Sequence, residues 1–70
     1  MTTLTNSDKI SIINQHKTNL DYAKYNVQMS ILEEQAASSP NQTLLDSLND
    51  QVAEIDRKLK ALDDEMASLV

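Results

Sequence analysis

Residues 45–69, LDSLNDQVAEIDRKLKALDDEMASL, place an apolar side chain alternately every three and every four residues. The members of this repeat are Leu45, Leu48, Val52, Ile55, Leu59, Leu62, Met66 and Leu69. Such a heptad repeat is typical of a coiled-coil helix, whose apolar seam packs against a partner helix. Glu54 with Lys58, and Asp56 with Lys60, also have the i, i+4 spacing of helix-stabilising ion pairs.

The first half of the chain predicts another helix. Its pattern runs without a helix breaker from about residue 7 to residue 37, and the polar residues 1–6 predict a short disordered start. Thr5, Asn6 and Ser7 can each cap this helix, and the sequence leaves the choice between them open. The helix is expected to end before the segment SSPN at residues 38–41.

The segment at residues 38–41 is the predicted turn, and the second helix is expected over about residues 40–69. Pro40 suits the first position of a helix, and Ser39 with Gln42 has the spacing of a capping box. Two helices of about thirty residues joined by so short a turn must lie antiparallel. The sequence therefore predicts one all-α domain over residues 1–70, an antiparallel two-helix hairpin with coiled-coil packing.

The facing sides of the two helices are predicted to form the hairpin core. On the first helix this core comprises Ile13, Leu20, Val27 and Ile31. On the second helix it comprises Leu45, Leu48, Val52, Ile55, Leu59, Leu62 and Met66. His16 lies at the edge of the first set, so a partly buried histidine is expected.

A second apolar line on the first helix lies roughly opposite this core. At about 100° per residue it gathers Tyr22, Tyr25, Met29, Leu32 and Ala36. One neighbouring helix cannot cover both sides, and an apolar strip on so small a domain usually marks an interaction surface. We expect these five residues to bind another protein chain, either a different partner or a second copy in a homo-oligomer.

The composition also favours association. The chain has 70 residues, no cysteine and a single histidine, so neither a disulfide nor a structural zinc site can stabilise it. Its net charge of −5, from 6 basic and 11 acidic residues, disfavours nucleic acid and anionic membranes as partners. The polar start does not resemble a signal peptide and there is no apolar run of membrane-spanning length, so a cytoplasmic location is expected.

Few residues could carry chemistry, and each has a simpler structural explanation. His16 has no acid or second histidine at metal-ligand spacing, and the hydroxyl groups near the turn, such as Ser38 and Thr43, suit capping without a base to activate them. The two tyrosines lie on a helix face without a pocket. We therefore expect no enzymatic activity, no metal and no cofactor.

The layout resembles a known family. The start Met1-Thr2-Thr3-Leu4, the acidic charge and the nearly uninterrupted pair of helices resemble the small cytoplasmic chaperones that hold the needle subunit in bacterial type III secretion. The segment SPNQTLL at residues 39–45 is similar to the turn of the needle subunits themselves, but the acidic residues 63–65 depart from the aromatic and basic residues of those subunits. The chaperone resemblance implies a second chaperone and an aggregation-prone secreted subunit as partners.

The sequence thus leaves two functions open. The first is a non-enzymatic interaction module that masks an amphipathic helix of a partner, as a type III secretion chaperone does for a needle subunit. The alternative is a self-assembling structural subunit, either a homodimeric four-helix bundle or a filament component.

Overall fold

The structure is a computed structural model that describes residues 3–70. It contains two helices, α1 (Asn6–Gln35) and α2 (Gln42–Ser68), which lie side by side in opposite directions. Near the ends remote from the turn, the side-chain amide of Asn6 donates a hydrogen bond to the carbonyl oxygen of Leu69 at 3.1 Å. The molecule measures 57 × 20 × 15 Å. The predicted all-α antiparallel hairpin is confirmed.

Helix α1 begins at a capping box. The hydroxyl of Thr5 accepts a hydrogen bond from the backbone N–H of Asp8 at 3.1 Å, and the Asp8 carboxylate accepts one from the N–H of Thr5 at 3.1 Å. These two bonds satisfy donors that every helix start leaves unpaired. Thr5 is thus the cap among the three candidates, and the helix begins one residue earlier than expected. The predicted disordered start includes residues 1 and 2, which lie outside the described residues.

Replacing Thr5 by alanine should lower the free energy of unfolding by about 1 kcal/mol, because the first turn loses its side-chain acceptor. Urea denaturation followed by circular dichroism measures this change. The matched control is Thr3→Ala, which alters an exposed threonine before the helix and should leave the midpoint unchanged. Equal midpoints for the two variants would show that the box contributes nothing to stability.

The turn differs from the expected one. Helix α1 ends at Gln35, and α2 begins at Gln42 with Asn41 as its N-cap, so Pro40 lies in the turn. The Asn41 side chain accepts from the N–H of Leu44 at 3.1 Å, and the Asn41 N–H donates to the Glu34 carboxylate at 2.8 Å. The predicted capping box of Ser39 with Gln42 is wrong, because Asn41 is a strong cap and the hydrogen bond that its N–H donates to Glu34 holds it just before the helix.

The core is thin because each helix has a single neighbour. Ile13, Leu45 and Leu48 are buried, with 8–9% of their surface exposed. The other predicted core residues are half-buried, namely Leu20, Val27, Ile31, Val52, Ile55, Leu59, Leu62 and Met66. Within α2, burial is therefore greatest at Leu45 and Leu48 in the first two turns, and the seam continues at partial burial toward Leu69, while the buried residue of α1 is Ile13.

Two ion pairs join the helices beside this seam. Lys17 pairs with Asp63 at 2.5 Å and Lys24 pairs with Asp56 at 2.7 Å, and each lysine side chain is only about a third exposed, at 30% and 31%. Lys24 follows Lys17 by one heptad and Asp63 follows Asp56 by one heptad, so both pairs specify the same antiparallel register.

The local ion pairs of α2 also differ from those expected at i, i+4. Asp56 is engaged by Lys24 across the hairpin, Lys60 pairs instead with Asp64 at 3.2 Å, and Glu54 pairs with Arg57. The hydrogen bond from Arg57 lowers the pKa of the exposed Glu54 carboxyl. Any stability that this pair contributes is therefore present above the unfolded-state pKa and is lost as the pH falls through the lowered value.

Candidate partner-binding surface

The residues predicted to bind a partner lie on the side of α1 that faces away from α2. We call Tyr22, Tyr25, Met29, Leu32 and Ala36 the tyrosine strip. Tyr22 is 71% exposed, Tyr25 60% and Leu32 55%, Ala36 is exposed, and Met29 is half-buried. At 1.5 Å per residue the strip is roughly 20 Å long. Helix α2 leaves it uncovered because α2 packs on the opposite side, where Ile13 and Leu20 lie.

The strip lies on a continuous helix and ends where the turn begins. Residues 22–35 belong to the uninterrupted helix α1, and Ala36 is its C-cap, with an N–H that donates to the Leu32 carbonyl at 3.0 Å. The backbone of such a helix holds the Cβ atoms of residues three and four apart at a fixed spacing. The strip therefore presents large apolar groups to solvent in a set geometry, without a loop that would have to be ordered first.

Acidic residues border the strip on both sides. At 100° per residue, Asp21 lies beyond Leu32 on one edge and Glu33 lies beyond Tyr22 on the other, and both are exposed. The lysines of α1 lie elsewhere: Lys17 and Lys24 reach α2, and Lys9 lies more than three turns before Tyr22. The surroundings of the strip are thus negative, in agreement with the net charge of −5.

A shallow open hollow marks the N-terminal end of the strip. It is lined by Thr18, Asp21, Tyr22 and Tyr25, and its wall is mostly apolar. The Thr18 hydroxyl is already engaged, since it donates to the Asn14 carbonyl oxygen at 2.9 Å. The Asp21 carboxylate is the charged group of this hollow. Sequence reasoning assigned the two tyrosines to the strip but missed Asp21, which a helical-wheel projection places at its edge.

The other hollows on the surface are weaker candidates for a binding site. A second hollow is lined by polar side chains of α1, Ser11, Asn14, Gln15, Thr18 and Asn19, and a third lies along the hairpin beside Leu20 and Leu62. His16 lines the third hollow and is exposed, so the expectation of a partly buried histidine is wrong. Within residues 3–70, no three histidine, cysteine or acidic side chains are grouped closely enough to hold a metal ion.

Comparisons with models of protein families, with curated proteins and with solved structures find no match for this chain. Neither α1 nor α2, the helices of the described part, combines the length and apolar character needed to cross a membrane. The tyrosine strip is the feature of the hairpin that the packing of α1 against α2 does not use.

Proposed function

We propose that this hairpin is a non-enzymatic interaction module that masks an amphipathic helix of a partner protein with its tyrosine strip. The observation that carries the proposal is the exposure of Tyr22, Tyr25 and Leu32, each more than half exposed on one side of α1. Isolated exposed apolar residues are ordinary, but a contiguous line of them on a small domain is typical of an interaction site.

The residue types in the strip suit this role. Tyrosine combines a large apolar ring with a hydroxyl that can stay in water, and it is enriched among residues that dominate binding energy. Met29 is flexible and fits irregular surfaces. A partner helix would lay its apolar side chains, spaced at i, i+3, i+4 and i+7, along Tyr25, Met29 and Leu32. The acidic helix α2 would remain on the outside and keep the complex soluble.

Within this proposal the protein acts in the cytoplasm as a chaperone of type III secretion. Its partners would be a second chaperone and the secreted needle subunit, as the family resemblance implies. A subunit that polymerises through an amphipathic helix would aggregate if that helix were exposed before export. Covering the helix reversibly, by burial of apolar surface and without covalent chemistry, is what an exposed strip on a rigid helix can do.

The other candidate function uses the same surface differently. A self-assembling structural subunit would bury the tyrosine strip against a second copy, as a homodimeric four-helix bundle or a filament. Light scattering of the purified chain over a range of concentrations separates the two functions. We expect a monomer or a labile species for the chaperone, whereas a stable dimer or polymer would favour the structural subunit.

Combining Tyr25→Ala with Met29→Ala should weaken binding to the partner by at least about tenfold, since two side chains at the centre of the strip are truncated. The partner is first identified by affinity capture from the native host, then purified and titrated by calorimetry. Helicity from circular dichroism should stay near that of the parent chain, because Tyr25 is exposed and Met29 lies on the same side of α1.

The matched control for this double variant is Asn19→Ala with Asn26→Ala. Both asparagines are exposed on α1 and lie beside the strip without belonging to it. This control should bind the partner as the parent chain does. A double variant that unfolds, or one that binds as tightly as the control, would contradict the role of the strip.

A further inference from the structure

The hollow at the N-terminal end of the tyrosine strip combines two aromatic rings with a carboxylate. Asp21 directly precedes Tyr22, and Tyr25 and Thr18 lie one helical turn after and before Asp21, so the four side chains surround one open site. Tyr22 and Tyr25 are 71% and 60% exposed, and Asp21 is exposed as well. A side chain approaching from solvent would meet both ring surfaces and the charge together.

The carboxylate of Asp21 lacks a cationic partner among residues 3–70. The lysines that lie nearest to it in sequence, Lys17 and Lys24, are used by Asp63 and Asp56 across the hairpin. The remaining ion pairs of the described chain are confined to α2. Asp21 is thus available for pairing with a cation that another molecule supplies.

We propose that this hollow receives a basic side chain, an arginine or a lysine, from the amphipathic helix that the strip masks. This inference rests on the proposed function and adds the chemistry of the partner. A guanidinium or ammonium group would pair with Asp21, while the ring faces of Tyr22 and Tyr25 attract the cation and cover its alkyl stem. Glu33, on the opposite edge of the strip, favours a basic residue on the other flank of the same helix.

The acidic border of the strip favours a basic partner helix over a second copy of the chain. A copy that docked its strip on this one would bring the same acidic border, Asp21 and Glu33, against like charges, in addition to its own net charge of −5. The border opposes an anionic lipid surface for the same reason. A helix with an apolar line and basic flanks complements both the apolar and the charged parts of the surface.

Three synthetic helical peptides test the proposal, each with the same apolar line and with arginine, glutamine or glutamate on the flanks. Titration of the full chain by fluorescence anisotropy should show the arginine peptide binding about three- to tenfold more tightly than the glutamine peptide. The glutamate peptide should bind most weakly. The advantage of arginine should shrink at high salt, because the charges are at the surface.

The variant Asp21→Asn assigns the effect to the hollow. It should reduce the affinity for the arginine peptide by about two- to fivefold and leave the affinity for the glutamine peptide unchanged. The matched control is Asp50→Asn, which removes one negative charge from an exposed position on α2 and should alter neither affinity. Tyr22→Leu keeps apolar surface but removes a ring, and should weaken binding of the arginine peptide selectively.

The outcomes separate this inference from the proposed function. Equal binding of the arginine and glutamine peptides, with no effect of Asp21→Asn, would overturn the basic-side-chain site and leave the masking role standing. Failure of all three peptides to bind would overturn both. A stable dimer of the chain that dissociates on Tyr25→Ala would overturn the inference as well, in favour of a second copy on the strip.

Discussion

Leu45→Ala should lower the free energy of unfolding by about 2 to 4 kcal/mol, the usual cost of truncating a buried leucine. Leu45 is 8% exposed and is one of only three buried residues in the described chain. A domain of this size has a stability of only a few kcal/mol, so this single change should leave a large fraction of the molecules unfolded at 25 °C. Urea denaturation followed by circular dichroism, at one fixed protein concentration, measures the change.

The neighbouring leucine provides the control. Leu44 is 42% exposed, and Leu44→Ala makes the same chemical change in the same turn of α2. We expect the free energy of unfolding to change by about 0.5 kcal/mol or less in this variant, as is usual for surface positions. If the two variants were equally unstable, the hairpin would have to bury Leu44 as well, and the packing described for the start of α2 would be incorrect.

Reversing the charge of the two lysines beside the seam should also lower the free energy of unfolding. The double variant Lys17→Glu with Lys24→Glu replaces two attractive contacts by repulsion from Asp63 and Asp56. The lysine side chains are about 30% exposed, but the side chains of Asp63 and Asp56 are 58% and 52% exposed, so solvent screens both pairs considerably. We expect the free energy of unfolding to fall by about 1 to 2 kcal/mol, from the loss of two surface pairs and the addition of two like-charge contacts.

Adding Asp56→Lys and Asp63→Lys to that variant should recover most of the lost stability, because the pairs are re-formed with exchanged signs. The control is Lys9→Glu with Lys58→Glu, which changes the net charge equally at exposed lysines that make no ion pair within residues 3–70. This control should lower the free energy of unfolding clearly less than the charge reversal at Lys17 and Lys24 does. Without recovery in the fourfold variant, the ion pairs could not be what holds the register.

The fold was predictable because its main signals are local and repeated. The heptad repeat from Leu45 to Leu69 specifies a helix with one apolar side, and the single proline breaks the helical pattern where the turn forms. The position of the first cap could have been read more closely, since Thr5 and Asp8 have capping-box spacing. The second cap, Asn41, also donates its backbone N–H to the Glu34 carboxylate, which becomes a neighbour of Asn41 only after the chain has turned.

The contacts between the two helices could not be predicted from the sequence, because they join residues that become neighbours only when the hairpin has formed. Asp56 has a lysine four residues later on its own helix, and sequence spacing alone cannot show that Lys24 reaches it first. The tyrosine strip follows from helical periodicity, whereas the site beside Asp21 depends on which lysines the hairpin has already used. His16 was misjudged because a two-helix hairpin leaves the edges of its seam open to water.

The hydrogen bond between the Asn6 side chain and the Leu69 carbonyl places the two ends of the hairpin next to each other. A short linker could therefore join them, and the chain could be opened instead between residues 36 and 41. Such a circular permutant would encode α2 before α1 and still make the same contacts between the helices. In this architecture the order in which the two helices are synthesised carries no structural information, because each needs only the other.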